Sequence, residues 1–407
     1  MNQTLKKTNK IRFMALFPII MTILSPYSFI SGGGILICDI LVIFLAFYFV
    51  FIHRSNIYIP LFLLLGIDFL LTIFSFFLTE SSSTNLVLSL KICIVFALYL
   101  FVYSSVWACD IRHSFYYYVE LIGIICALFA IFQFAFSSIG FDFYDGRLFL
   151  PLSEGSYFGG LYDRNTGDLR VHSFFEEPSY LAFFEIPITA HLIQEKKYIK
   201  AMICGLSCIV SGSMVGILGL IIVMCAILLL DSDFKTKSKI RFLVLIIATI
   251  IALICVYNAN DSFRLLIDYY MDRIVNIESS SNRVDSSFSQ RIFGNIALFN
   301  QYNFLNMLIG VGFNQYSLYF GIFKDYSNDF VSNLLNFGYI GFFSLIAVLF
   351  TMIKNTSGQG RIFFVIFIIL LAIDHSWFGT MFFYILTWLM MKSNDYKLIR
   401  LNLRIRF

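Results

Sequence analysis

The feature that most limits this chain is its succession of long apolar windows. They fall at about 13–30, 34–52, 58–78, 86–107, 115–136, 174–194, 198–211, 213–230, 240–258, 330–353, 361–373 and 377–391. About 20 apolar residues cross a bilayer as one α-helix, and inside lipid only helices or closed barrels satisfy their own backbone polar groups. The pattern predicts an all-α polytopic membrane protein of about twelve transmembrane helices, the seventh and eleventh being short. Composition agrees, with 59% hydrophobic and only 13% charged residues, where a soluble chain carries about a quarter charged. The whole chain, 1–407, reads as a single integral membrane domain.

Orientation follows from Lys and Arg. If the windows alternate, the segments around 1–12, 54, 112, 196–200, 235–241, 354–361 and 392–406 share one side and hold 20 of the 29 basic residues. The positive-inside rule assigns that side, with both termini, to the cytoplasm. Basic Met1 to Arg12 followed by an apolar stretch resembles a secretory signal. No small-residue cleavage site precedes the next window, however, so it reads as an uncleaved first helix. The two long loops, 137–173 and 259–329, then lie outside. Cytoplasmic nucleotide chemistry has no domain to occupy, and no GxxxxGK[ST] sequence occurs.

Seven of the nine outer basic residues are Arg, the better fork for phosphate or carboxylate. Acidic residues outnumber basic ones in both long loops, so recognition of an anion would rest on individual side chains and not on bulk charge. Basic runs interleaved with aromatics are absent outside the windows, which excludes nucleic acid as a partner. The eight Cys all lie in or beside apolar windows, so no disulfide framework or Cys-based metal site is expected; Cys204 and Cys208 share one helix face as small packing residues. In the second loop, 261–274 and 288–309 have helical apolar spacing, and Gly310-Val311-Gly312 closes the latter as a turn.

The densest polar cluster is Arg170-Val171-His172-Ser173-Phe174-Phe175-Glu176-Glu177-Pro178-Ser179, at the outer mouth of the sixth window. Pro178 suits the first helical position and Glu177 the N-cap. Capping alone does not call for Glu176, Glu177, His172 and Arg170 together. Asp68 and Glu185 fall near the middle of the third and sixth windows, where ionisable groups face a cavity or a partner. With no basic residue at that depth, they are expected to be protonated or hydrogen-bonded to Ser, Thr, Tyr or each other. Lys91 lies near the outer end of the fourth window, placed to meet a lipid phosphate or to snorkel. Asp374-His375-Ser376 closes the eleventh window, and His375 with His172 are the outer candidates for near-neutral proton transfer. Gly212 and Gly216 suggest close helix packing. HExxH, paired Cys and GxSxG are all absent, so no metal is expected.

Arg170 with Phe175-x-Glu177-Pro178-Ser179, followed about 30 residues later by Ser211-Gly212-Ser213, resembles the O-antigen polymerase (Wzy) family, within the O-antigen polymerase and ligase superfamily. Arg291 ahead of Gly310-Val311-Gly312-Phe313, and Asn333-x-x-x-x-Gly338-x-x-Gly341, fit that pattern as well. The resemblance spans roughly 140–350. It implies a GT-C-like glycosyltransferase of the bacterial inner membrane, acting without a cofactor on undecaprenyl-diphosphate-linked oligosaccharide at the periplasmic face. A chain-length regulator and a flippase of the same pathway are its implied partners. Ligases carry a His near the end of the second loop, and 324–333 has none; the Arg often found after the Ser-Gly-Ser turn is Met214 here. The missing loop His counts against ligase, and Met214 removes one possible phosphate contact.

On this reading Arg170 and Arg291 grip the diphosphate, with Arg283 and Arg164 next. Glu177 or Glu176 orients or deprotonates the acceptor hydroxyl, with His172 and His375 in reserve. The rival classes are a lipid-linked-oligosaccharide flippase or proton-coupled transporter built on Asp68 and Glu185, and a structural partner of a chain-length regulator.

Overall fold

A computed structural model describes residues 2–29, 36–52, 55–78, 86–141, 143–153, 161, 169–230, 296–313, 315–321, 327–373, 379–393 and 396–401. The ninth window, the 261–274 stretch, Arg164, Arg283, Arg291 and His375 lie outside the described residues. Among those described, the chain is mainly helical: α1 (Asn2–Leu24), α2 (Ile37–Phe51), α3 (Ile59–Leu78), α4 (Leu86–Trp107), α5 (Arg112–Ser138), α6 (Pro178–Gln194), α7 (Tyr198–Val210), α8 (Met214–Leu230), short α9 (Ile296–Phe299), α10 (Phe304–Ile309) and α11 (Tyr316–Tyr319), then α12 (Asp329–Lys354), α13 (Gly360–Ile373) and α14 (Thr380–Lys392). Four of the described helices, α3, α4, α5 and α12, are each long and apolar enough to cross a bilayer. Shorter apolar helices accompany them. The chain is an all-α protein of membrane-embedded type.

Polar contacts tie the helix ends into two groups. At one end the strands β1 (Ser55–Ile57) and β2 (Ile399–Leu401) pair antiparallel. There Tyr58 N–H donates to Ser104 Oγ at 3.3 Å, Tyr116 Oη to the Met391 carbonyl at 2.9 Å, and Tyr396 Oη to the Met352 carbonyl at 3.1 Å. Lys197 and Lys200 both pair with Glu120 on that side, and Lys354, Arg361, Lys392 and Lys397 join them by position. The opposite end carries Lys91, Arg147 and Arg170 among the described basic residues beyond α1. There the first long loop meets the end of α1, with Tyr27 bridged to Leu152 and the Leu148 N–H donating to Tyr27 Oη at 2.8 Å.

α6 is the axis of the bundle. Every residue from Pro178 to Gln194 is buried except half-buried Tyr180, as befits a helix apolar on all sides. Neighbours approach it through glycine. A Cβ on Gly219 of α8 would overlap Ile186, and one on Gly123 of α5 would lie 2.6 Å from Ile188 Cδ1. Gly216 sits equally tightly, a Cβ there falling 2.6 Å from the Cys208 carbonyl oxygen and 3.3 Å from Ala182 Cβ. This is the small-residue packing that brings helices together where lipid supplies no hydrophobic drive. Cys204 and Cys208 are both fully buried on one face of α7.

Candidate functional site

The polar cluster before α6 is anchored by buried residues within it. Val171 and Phe175 are core residues; Phe175 packs on Phe184 at 5.1 Å and Phe174 stacks on Phe129 at 4.5 Å. Between them Ser173 is fully buried with φ 56°, a left-handed conformation that costs a non-glycine residue about 1–2 kcal/mol.

Gln133 of α5 holds it there. The Ser173 N–H donates to Gln133 Oε1 at 2.8 Å, Gln133 Nε2 donates to the Tyr144 carbonyl at 3.1 Å, and a longer 3.5 Å contact runs from Nε2 to the Ser173 carbonyl. Ser173 Oγ donates to the Cys126 carbonyl at 2.9 Å. One buried amide therefore fastens two segments of the first long loop to the same turn of α5. Gly146 completes the contact: it lies so close to the Ser173 carbonyl, with φ 86°, that any Cβ there would overlap it.

Arg170, His172, Glu176 and Glu177 all lie on the segment, 170–177, that this clamp holds. Arg170 is half-buried, its N–H donating to the Leu161 carbonyl at 2.7 Å. His172 is buried to 1% exposure. Glu176 is half-buried and Glu177 exposed. Glu177 occupies the N-cap position with Pro178 at N1, as expected, but its carboxylate makes no capping bond; it accepts instead from Ser179 Oγ at 3.2 Å. Glu177 thus presents an exposed carboxylate able to orient a hydroxyl, and Arg170, seven residues earlier, a half-buried side chain able to hold an anion.

A second buried polar assembly surrounds the Gly310–Gln315 turn. Its backbone is gripped by α3 and α4: the Phe313 N–H donates to Thr72 Oγ1 at 3.2 Å, Ser75 Oγ to the Gly310 carbonyl at 3.2 Å, and Ser89 Oγ to the Phe313 carbonyl at 3.0 Å. Gln315 Nε2 reaches Ser89 Oγ at 2.6 Å, while the Gly312 and Gln315 N–H groups donate to the carbonyl (2.8 Å) and side-chain oxygen (3.2 Å) of Asn336. Gly310 (φ 73°) and Gly338 (φ 62°, ψ −161°) face each other across this contact. A Cβ on Gly310 would overlap the Asn336 carbonyl, and one on Gly338 would lie 2.5 Å from the Leu308 carbonyl carbon. Gly338 is also where α12 kinks. The two glycine motifs singled out in the sequence, 310–313 and 333–341, are therefore parts of one joint. The helix expected over 288–309 is, in its described part, two pieces, because Asn303 caps α10 by accepting from the Asn306 N–H at 2.8 Å.

The intramembrane carboxyls are fully buried and do not meet each other. Among the described residues neither oxygen of Asp68 has a hydrogen-bond partner. No N–H or O–H reaches Glu185 there either; the Cys204 thiol of α7, a weak donor, stands beside it. Lys91 is exposed on the second turn of α4. Among the described residues no trio of His, Cys, Asp or Glu is arranged to hold a metal. Sequence reasoning passed over Gln133, Thr72, Ser75, Ser89, Gln315 and Asn336. Gln133 had a signal, as the single amide in the apolar window 115–136. The chain matches no family model and no curated protein.

Proposed function

We propose that the chain is a polysaccharide polymerase of the bacterial inner membrane, with twelve spans, cytoplasmic termini and periplasmic loops 137–173 and 259–329. It transfers a growing undecaprenyl-diphosphate-linked glycan onto the next lipid-linked repeat. The acceptor sugar's hydroxyl oxygen attacks the anomeric carbon of the donor glycan. The bond from that carbon to the diphosphate breaks, and the hydroxyl proton passes to a carboxylate. Glu177, exposed next to Ser179, is assigned that proton or the orientation of the hydroxyl, with Glu176 behind it. Arg170 is assigned to the departing diphosphate together with Arg291, where two charge-assisted grips stabilise the negative charge as it develops. Arg283, Arg164, Lys91, His172 and His375 are the further candidates of this reading.

The observation that carries this reading is the loop Arg170–Glu177, strained at Ser173 and pinned by Gln133 at the bundle end poorer in described basic residues. Backbone strain held by surrounding structure gathers where geometry matters for function. Deletion of the gene followed by gel analysis of surface glycan tests it. Single-repeat lipopolysaccharide supports polymerase, bare core with lipid-linked polymer indicates a ligase, and absence of exported glycan indicates a flippase. The buried carboxyl of Asp68, without a hydrogen-bond partner among the described residues, favours one second reading, a proton-coupled carrier. Asp68→Asn would abolish a carrier's transport and leave a polymerase's product length intact.

A further inference from the structure

The first long loop carries exposed aromatic surface, with the Tyr144 ring touching Phe129 of α5 edge-on at 6.5 Å. Phe149 is 99% exposed and Tyr144 45%, and their rings stack at 6.2 Å and 23°. The pair is bracketed by Asp145, whose Oδ1 accepts from the Arg147 N–H at 3.0 Å, and by the exposed Arg147 side chain. The backbone from Gly146 to Leu150 is neither helix nor strand. Backbone of that kind does not enter hydrocarbon, so these rings stand at or above the headgroup level. Exposed rings flanked by charged groups offer an amphipathic surface to a ligand.

Its connection to the candidate site is direct. The amide of Gln133 that fixes Ser173 also holds the Tyr144 carbonyl at 3.1 Å, and Gly146 is in backbone contact with the Ser173 carbonyl. Ser173 is three residues from Arg170 and three from Glu176 in the chain. Whatever lies against the rings is therefore held in fixed relation to those groups.

We propose that Tyr144 and Phe149 form a platform for a pyranose ring of the lipid-linked oligosaccharide, with Asp145 and Arg147 meeting its hydroxyls. This rests on the polymerase reading for the identity of the sugar. The aromatic faces suit the apolar C–H face of a pyranose, and the two charged side chains suit its polar edge, the amphipathic match that aromatic residues supply at wet interfaces.

The test uses the full-length protein in lipid nanodiscs. The probe is the water-soluble oligosaccharide released by mild acid from the host's own lipid-linked repeat units. Phe149→Trp, Phe149→Leu and Phe149→Ala are compared by calorimetry; at a 99% exposed position all three should fold. The expected result is binding by the wild type, retained in Phe149→Trp, and weakened about tenfold in both Phe149→Leu and Phe149→Ala, the size of one aromatic contact. Wild-type affinity in Phe149→Leu would make the ring a lipid anchor and overturn the platform, as would equal binding by all variants or none by the wild type. Product length in a deletion strain is scored separately. Loss of binding in the Leu and Ala variants, with long chains persisting in the deletion strain, would sink the polymerase reading and leave the platform standing.

Discussion

Replacing Gln133 with Leu isolates what the buried amide does. The exchange keeps α5 apolar and similar in volume while deleting the acceptor for the Ser173 N–H and the donor to the Tyr144 carbonyl. A buried polar group left without its partner costs about 1–3 kcal/mol, and Ser173 would no longer be compensated for its φ of 56°. With the Ser173 N–H fully buried and the Tyr144 carbonyl partly so, the combined cost is about 2–4 kcal/mol. The loop escapes it by letting go of α5. If Arg170 and Glu177 act from the clamped position, a 2–4 kcal/mol loss of positioning corresponds to about 30- to 1,000-fold in rate. Three measurements check this: product length on gels, melting temperature of purified protein, and protease cleavage within 141–153. Short product and faster cleavage are expected, with helix content unchanged. Wild-type cleavage and full-length glycan from a Gln133→Leu strain would refute the clamp.

Arg170→Ala is expected to leave protein in the membrane and to lower polymerisation by roughly two to three decades, read as single-repeat glycan. Gly310→Ala and Gly338→Ala each place a Cβ into the other segment's backbone at a positive φ. Either should cost more than about 3 kcal/mol and deplete folded protein, measured as membrane abundance and melting temperature. Glu185→Gln, by contrast, keeps the shape of a fully buried side chain and should preserve both abundance and chain length. Loss of chain length in folded Glu185→Gln protein would move the carboxyl into the chemistry.

The helices were legible and their polar joints were not. Apolar windows at 86–107, 198–211 and 361–373 reappear as Leu86–Trp107, Tyr198–Val210 and Gly360–Ile373, because in lipid the backbone has little alternative to helix wherever side chains are apolar. Glu177 before Pro178 marked the start of α6 for a local reason, the fixed φ of proline. The partner of Ser173 lies 40 residues away and that of the Phe313 N–H 241 residues away. Periodicity predicts which residues share a helix face, not which distant backbone group each will meet. Asn303 broke the 288–309 stretch because a side-chain cap competes locally with helix continuation, a contest that apolar spacing does not register.

The Tyr144–Ser173 segment and the Gly310–Phe313 turn are held in one manner, by polar side chains set in largely apolar helices: Gln133 for the first, and Thr72, Ser75 and Ser89 for the second. In an apolar surround these donors and acceptors have few alternative partners, so each anchor fixes one register of the loop above it. On the proposed reading, residues that meet substrate and residues that place them are consequently separable in the chain. Exchanging exposed Phe149 or Arg147 should alter which glycan is accepted while the bundle keeps its stability. Exchanging Gln133 or Thr72 should lower stability and activity together for every glycan. On the proposed polymerase reading, a first loop transplanted from another polymerase should function only when its anchor residue on the underlying helix is transplanted with it. Full activity from the loop alone, without Gln133, would mean that the loop carries its own fold and the helices merely support it.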